Sequence, residues 1–94
     1  MVNLQMEHKV PNFDAWKKAF DDDPINRRKS KVLRYRVFRP VDDPNYVIID
    51  LEFNSLDEAE SALASLKNLW GKVEGKVMMN PQTRILDVVE SIEY

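Results

Sequence analysis

The chain of 94 residues is long enough for one domain, and 44% hydrophobic with 32% charged residues is a globular composition. Fourteen basic against sixteen acidic residues give a net charge of -2, a balance that does not favour nucleic-acid binding, which needs a concentrated positive surface. The absence of cysteine excludes disulfides, thiolate metal sites and cysteine nucleophiles.

Hydropathy gives expectations about the compartment. The sequence opens with no basic segment followed by an apolar run, so no signal peptide is expected. No stretch approaches the roughly 20 apolar residues that a membrane helix needs. We expect a soluble, cytoplasmic protein with one domain over residues 1–94, and neither nucleic acid nor membrane among its partners.

The first ten residues alternate between two kinds of side chain, the pattern of a half-buried β-strand. One side carries apolar residues and a histidine, namely Val2, Leu4, Met6, His8 and Val10. The other side is polar. We therefore predict a first strand that ends at Pro11 and buries one face.

Helical spacing begins after Pro11. Asn12 is a candidate N-cap, and the apolar face of the predicted helix is aromatic. This face consists of Phe13, Trp16 and Phe20. The helix is expected to end between Phe20 and Asp22, because an acidic run opposes the macrodipole at a helix C-terminus and Pro24 comes next.

A β-hairpin is predicted next, with strands at residues 32–39 and 46–53. The turn between them is Asp42-Asp43-Pro44-Asn45, in which proline presets φ and the Asp and Asn side chains bond back to the backbone. One face of the hairpin is apolar and is expected to meet the helices. It carries Leu33, Tyr35, Val37, Val47, Ile49, Leu51 and Phe53.

The second helix is indicated by a capping box, in which Ser55 and Glu58 satisfy free backbone amides at the helix start. It is expected to run to about Trp70, before Gly71. Its predicted apolar stripe is Leu56, Ala59, Ala62 or Leu63, Leu66, and Leu69 or Trp70. After an irregular segment, residues 72–82, a last strand is predicted over 83–92, with Leu86, Val88 and Ile92 on one face.

The order βαββαβ predicts an α+β, ferredoxin-like fold, in which two helices cover one face of a four-stranded antiparallel sheet. The opposite face mixes charged and apolar residues. It is either solvated or the interface of a homodimer. We favour the homodimer, because Phe38, Ile48 and an apolar last strand are poorly suited to water.

A family resemblance rests on the hairpin and on the start of the second helix. The stretch from Tyr35 to Phe53, together with Ser55-Leu56-Asp57-Glu58-Ala59, resembles small members of the dimeric α+β barrel superfamily, which includes antibiotic-biosynthesis-monooxygenase-like proteins. The shared residues form the fold and are not a catalytic motif. The resemblance implies subunits paired through their sheets, and a pocket between helices and sheet. It also implies a range of functions, from cofactor-free oxygenation and haem degradation to cyclisation and ligand binding.

Six residues are candidates for lining that pocket. They are His8, Trp16, Arg27, Tyr35, Trp70 and Met78. His8 is the sole histidine and lies on the helix-facing side of the first strand. It is a candidate general base or a hydrogen-bond partner of the substrate. The alternative is a neutral histidine that a backbone carbonyl satisfies.

The other candidates also have two interpretations. Trp16 and Trp70 either wall an aromatic-binding pocket or fill the core, and Tyr35 either aims its hydroxyl into the cavity or packs there too. Met78 lies in a segment that either closes over the pocket or packs on the core. Arg27 either holds an anionic group of the substrate or pairs with the acidic run 21–23.

Metal and haem sites are not expected. One histidine without cysteine would need several converging carboxylates to hold a metal ion, and no such spacing occurs. Haem-degrading relatives use a histidine ligand, and this sequence has no second histidine in its later part. We expect no cofactor.

The sequence leaves two functional hypotheses. In the first, a homodimer uses the pocket to bind or convert a small aromatic compound, as a cofactor-independent monooxygenase or a cyclase does, with His8 taking the substrate proton. In the second, the protein is a non-catalytic ligand-binding or interaction module whose own side chains fill the core. Because fold alone leaves function open, the sequence does not decide between them.

Overall fold

The computed structural model of the chain describes residues 1–23, 26–73 and 79–94. Within these ranges it contains two helices and four strands. They are β1 (Val2–Lys9), α1 (Phe13–Asp21), β2 (Arg34–Phe38), β3 (Tyr46–Phe53), α2 (Leu56–Val73) and β4 (Met79–Asp87). The βαββαβ order confirms the predicted α+β, ferredoxin-like fold class.

The four strands form one antiparallel sheet in the order β2-β3-β1-β4. The register places Leu4 of the central strand β1 opposite Leu51 of β3 and Ile85 of β4. Strands β2 and β4 are the two edges. The alternation predicted for β1 and β3 is confirmed, since every second residue of each is buried.

The hydrophobic core lies between one face of this sheet and the two helices. It consists of Val2, Leu4, Met6, Val10, Trp16, Val47, Ile49, Leu51, Phe53, Ala59, Ala62, Leu66 and Trp70. Trp16 is the fully buried residue of α1, and α2 contributes a stripe that ends at Trp70. The predicted stripe of α2 is correct except for Leu56, which is half-exposed in the first turn.

The hydrogen bonds at the two helix starts and in the hairpin turn confirm the predicted caps and turn. The Asn12 side chain accepts a hydrogen bond from the amide of Ala15 at 3.0 Å, and α1 ends at Asp21, within the predicted limits. Ser55 Oγ accepts from the amide of Glu58 at 3.3 Å, and the Ser55 hydroxyl also lies 3.2 Å from the Glu58 carboxylate. In the hairpin turn, Asp43 Oδ1 accepts from the amide of Asn45 at 3.2 Å.

The predicted end of the second helix is wrong by three residues, because α2 continues through Gly71 to Val73. Glycine costs only about 1 kcal/mol relative to alanine inside a helix, so it weakens a helix without having to end it. A Cβ atom at Gly71 would have no heavy atom within 4 Å, and its φ is outside the left-handed region that would mark a C-cap.

The bounds of two strands also differ from the prediction. Strand β2 covers Arg34–Phe38 instead of residues 32–39, and β4 covers Met79–Asp87 instead of 83–92. The predicted irregular segment, residues 72–82, includes Pro81, yet Pro81 lies in β4, an edge strand, where proline is tolerated because only one side of the strand pairs. Asn80, at φ 50°, accompanies the register shift between Glu7 and Lys9.

Candidate functional site

His8 lies in the core, at the centre of the candidate site. It follows the alternation of β1, so its side chain points to the helices, and only 2% of the residue is exposed. Its Cα partner across β3 is Val47, and the edge of its ring meets Trp16 of α1, with centroids 5.9 Å apart at 65°. The histidine is therefore enclosed by apolar and aromatic neighbours.

One ring nitrogen of His8 has a defined partner. Nδ1 lies 3.1 Å from the main-chain oxygen of Lys9. A carbonyl oxygen only accepts hydrogen bonds, so Nδ1 carries the proton, and the neutral ring keeps its lone pair on Nε2. Burial lowers the pKa of His8 below its ordinary value of 6.5, an effect that the bond to Lys9 partly offsets. At neutral pH the ring is an uncharged base.

Aromatic side chains continue outward from His8. Trp16 stacks on Phe20 with ring centroids 5.1 Å apart at 27°, and Phe20 meets the ring of Tyr35 edge-on at 5.1 Å. We call His8, Trp16, Phe20 and Tyr35 the aromatic row. It leads from the buried histidine to Tyr35, which is 42% exposed on the edge strand β2. Such contacts contribute about 0.5–1.5 kcal/mol each beyond the area they bury.

Arg27 covers the outer end of the aromatic row. Its guanidinium lies 4.2 Å from the centre of the Phe20 ring and 4.6 Å from that of Tyr35. Nη1 donates to the main-chain oxygen of Phe20 at 2.9 Å, near the C-terminus of α1, where a cation is favourable. Asp23 lies 3.5 Å from Nε and also accepts from the amide of Arg27. Arg27 thus joins the end of α1 to the edge strand β2.

The six predicted site residues fall into three groups. His8, Trp16 and Tyr35 belong to the aromatic row, and Arg27 covers its outer end. Trp70 is buried in the same core but comes from α2. Met78 lies outside the described residues. The sequence placed Phe20 on the apolar helix face, but it did not identify Phe20 as the link between Trp16 and Tyr35, because that contact depends on how α1 packs on β2.

A groove and a smaller void, both lined by described residues, lie away from His8. The groove, of about 390 Å³, runs between residues 29–31 and α2, lined by Lys29, Ser30, Lys31, Asp57, Glu58, Ser61, Ala62 and Ser65. A void of about 10 Å³, enough for about one water molecule, lies on the opposite sheet face and is lined by Asn3, Arg34, Tyr35, Arg36, Asp50 and Glu52. Over residues 1–23, 26–73 and 79–94, no cluster of three or more His, Cys, Asp or Glu side chains is placed to hold a metal ion.

Similar folds occur among solved structures. A protein from Deinococcus radiodurans, proposed to be an antibiotic biosynthesis monooxygenase, superposes with a TM-score of 0.79 at 13% identity, over 100% of this chain and 98% of that one. SnoaB from Streptomyces nogalater, a cofactor-independent oxygenase, gives 0.79 at 11% identity, over 99% and 97%. A dimeric ferredoxin-like protein from an uncultured marine organism gives 0.71 at 12% identity, over 99% and 92%.

This chain shares the α+β, ferredoxin-like fold of these three proteins. At these identities the likeness establishes the fold and leaves the activity open. No family model and no curated protein matches the sequence. No helix in the described part of the chain is long and apolar enough to cross a membrane.

The shared ferredoxin-like fold leaves a second sheet face, turned away from the helices. We call it the outer face. Its charges pair between strands, since Arg34 Nε lies 2.7 Å from Glu52 and Arg36 lies 3.8 Å from Asp50. Phe38, also on this face, is 41% exposed beneath the guanidinium of Arg36.

The outer face also holds buried polar atoms. Asn3 Oδ1 and Asp50 Oδ1 are shielded from solvent and have no hydrogen-bond partner among the described residues. A buried acceptor without a donor costs about 1–3 kcal/mol, so such atoms call for an explanation. The nearby void offers room for one bridging water. Between charged pairs and exposed Phe38, the outer face is neither a plain solvated surface nor a core.

Proposed function

We propose that the chain is a homodimer, joined through its outer face, that binds a small aromatic compound along the aromatic row of each subunit and oxygenates it without a cofactor. The observation that carries this proposal is the state of His8, a buried, neutral imidazole whose Nδ1 proton is held by Lys9. The shared fold with SnoaB, a cofactor-independent oxygenase, supports the reaction class.

The chemistry assigned to His8 is proton removal. The Nε2 lone pair takes a proton from an acidic carbon or hydroxyl of the bound compound, as a general base does. The resulting carbanion, or the phenolate that shares its charge with a ring carbon, is electron-rich enough to reduce dioxygen directly. In the net reaction, one methylene group and one dioxygen give one carbonyl group and one water, so no external reductant enters. Apolar surroundings keep the imidazole in its neutral, proton-accepting form and exclude competing water.

The neighbours of His8 would hold the substrate. Trp16 and Phe20 supply aromatic surface that suits a flat aromatic compound, and Trp70 closes the core from α2. Arg27, at the exposed end of the row, would take an anionic substituent. Accepting the ligand requires Trp16 or its neighbours to shift, since the core is closely packed.

Exposed apolar groups support the homodimer. Phe38 and Leu86 lie on the outer face and are both partly exposed, and the unpartnered oxygens of Asn3 and Asp50 lie between them in the sheet. Stacking a second sheet on this face would remove the apolar groups from water.

A second candidate function is a non-catalytic module whose core is filled by its own side chains. The observation that favours it is the near-complete burial of His8, Trp16 and Trp70. In this case the Lys9 carbonyl satisfies a structural histidine, and the aromatic row is packing alone.

Single-tryptophan variants separate the two functions, since the chain has two tryptophans. We would titrate Trp70→Phe, which keeps Trp16, and Trp16→Phe, which keeps Trp70, with hydroxylated naphthalenes and anthracenes. We would also follow dioxygen uptake in chelator-treated buffer. If the protein is an oxygenase, the aromatic compound quenches the fluorescence of Trp16, and dioxygen is consumed. His8→Asn then abolishes the consumption of dioxygen but still binds the compound. The Asn amide can still donate to Lys9 but is not a base. Binding without uptake indicates a ligand-binding module, and no binding indicates a filled core.

A further inference from the structure

A groove lies between residues 29–31 and α2, on the helix side of the sheet. Its volume, about 390 Å³, falls in the range of about 300–1,000 Å³ that is typical of sites for small molecules. Because α2 packs on the sheet face opposite the outer face, the homodimer proposed above would leave the groove open. None of the four residues of the aromatic row lines it, so the groove is separate from the site around His8.

The first wall of the groove is cationic. We call residues 29–31 the lysine wall, because Lys29 and Lys31 both line the groove and are exposed. The Lys29 amide donates to Asn26 Oδ1 at 3.2 Å, and the Lys31 amide donates to the Arg28 carbonyl at 3.2 Å. These bonds hold the backbone in a turn and fix the points from which the two lysine side chains extend.

The second wall is one face of α2, which we call the helix wall. Asp57, Ser61 and Ser65 follow at intervals of four residues, so they lie on the same face of the helix over about 12 Å. All three are exposed, whereas Ala62 is 2% exposed and forms the floor. Glu58 also lines this wall, and its carboxylate lies 3.2 Å from the hydroxyl of the helix cap. The helix wall thus carries carboxylates at its start and hydroxyls along the next two turns.

The charges of the two walls are not paired with each other. Within the described ranges, the side chains of Lys29, Lys31 and Asp57 form no ion pair. The hydroxyls of Ser61 and Ser65 form no hydrogen bond within the same ranges. The helix dipole favours an acidic residue in the first turn, so Asp57 alone would call for no ligand. Cations that face a carboxylate and hydroxyls across an open groove are a different arrangement, because each group stays available to a bound molecule.

A molecule that carries both charges matches this arrangement. Its carboxylate would lie against the ammonium groups of the lysine wall, and its own ammonium group would lie against Asp57. A purely anionic ligand would also meet the carboxylates of Asp57 and Glu58, and a purely cationic ligand would also meet the two lysines. The two walls therefore select against a single charge as well as for a pair of opposite charges.

The length and the hydroxyls of the helix wall favour a peptide over a single amino acid. A wall of about 12 Å accommodates three extended residues, at about 3.3–3.6 Å each. A serine hydroxyl both donates and accepts hydrogen bonds, as the N–H and C=O groups of a peptide require. We propose that the groove binds a short peptide, of about three residues, through its free amino and carboxyl ends. This site is independent of the oxygenation and of the homodimer proposed above.

Triglycine and two blocked forms of it test the site. Triglycine carries both charges, N-acetyltriglycine only the carboxylate, and triglycinamide only the ammonium group. Proton–nitrogen spectra of the full-length protein at constant ionic strength would follow the amides of residues 29–31 and 57–65 in each titration. We expect shifts at both walls, and a dissociation constant for triglycine about fivefold or more below those of the blocked forms and of glycine. Equal constants for the three peptides, a constant for glycine as low as that for triglycine, or no shift at either wall with millimolar triglycine would overturn the proposal.

Variants of each wall identify the two charged contacts. The double variant Lys29→Met with Lys31→Met should weaken triglycine several-fold but should not weaken triglycinamide, which has no carboxylate to lose. Asp57→Asn should weaken triglycine but not N-acetyltriglycine. Lys67→Met and Glu60→Gln, on the exposed surface of α2 outside the groove, are matched controls and should change neither. Circular dichroism confirms that each variant is folded. Equal losses for the free and the blocked peptides would overturn the assignment of the two ends to the two walls.

Discussion

The Nδ1 atom of His8 lies 3.1 Å from the main-chain oxygen of Lys9, its neighbour in β1. The partner is adjacent in sequence, so the strand backbone itself sets the tautomer of the histidine. Trp16 covers the ring from α1 and removes it from solvent. Together these contacts make a neutral imidazole with its basic nitrogen at Nε2, which is what a general base needs.

Stability should depend on pH through His8. Burial holds the pKa of the folded-state histidine below 6.5, so between the two pKa values the unfolded chain binds more protons. The free energy of unfolding should therefore fall as the pH drops below 6.5 toward the folded-state pKa. Urea unfolding followed by tryptophan fluorescence measures this, with His8→Asn as control. Carboxylates contribute equally to both proteins, so equal slopes in this window would contradict a buried neutral histidine.

Arg27 should stabilise the fold through the aromatic row. Arg27→Met keeps an apolar stem but loses the guanidinium over Phe20 and Tyr35 and its bond to the Phe20 carbonyl. We expect a loss of about 1–2 kcal/mol in the free energy of unfolding. Arg28→Met, at an exposed neighbouring position, is the matched control and should change little. Equal effects of the two substitutions would show that Arg27 is an ordinary solvated cation.

Phe38 should contribute to the proposed interface. Phe38→Asp places a charge on the outer face, opposite Ile48, and should raise the dissociation constant of the dimer about tenfold or more. Val41→Asp, in the fully exposed turn, should leave the dimer intact. Light scattering at micromolar concentration measures both, with circular dichroism to confirm folding. A dimer that tolerates both charges would place the interface elsewhere.

Gly71→Ala should stabilise the protein. The residue lies inside α2, its φ is outside the left-handed region, and an added methyl group would meet open space. We expect a gain of about 0.5–1 kcal/mol, seen as a higher midpoint in thermal unfolding. A lower midpoint would mean that the helix does not pass through Gly71 in solution and ends near Trp70, as the sequence pattern predicts.

Sequence patterns were sufficient where structure is local or periodic. Strands β1 and β3 are central and bury one face, so their alternation identified them, and the side chain of Asn12 caps α1 within three residues of its partner. The end of α2 was misjudged because glycine weakens a helix without ending it. The start of β4 was predicted too late because a strand accepts proline only where it is an edge. Whether β4 is an edge is a property of the whole sheet.

The candidate site was only partly accessible to the same reasoning. Placing His8 and Trp16 on facing sides of the core needed only the periods of a strand and a helix. The link from Phe20 to Tyr35 and Arg27 depends on how the end of α1 meets the edge strand β2. No spacing in the sequence encodes that non-local contact.

The most direct test of the central claim is nitrogen NMR of the imidazole, because His8 is the only histidine and its signals need no assignment. A long-range proton–nitrogen spectrum would be recorded before and after adding a hydroxylated naphthalene. The account predicts a neutral, Nδ1-protonated ring with a pKa below 6.5 and an Nε2 signal that shifts on binding. An Nε2-protonated ring, or an Nε2 signal that does not move at saturating compound, would contradict it.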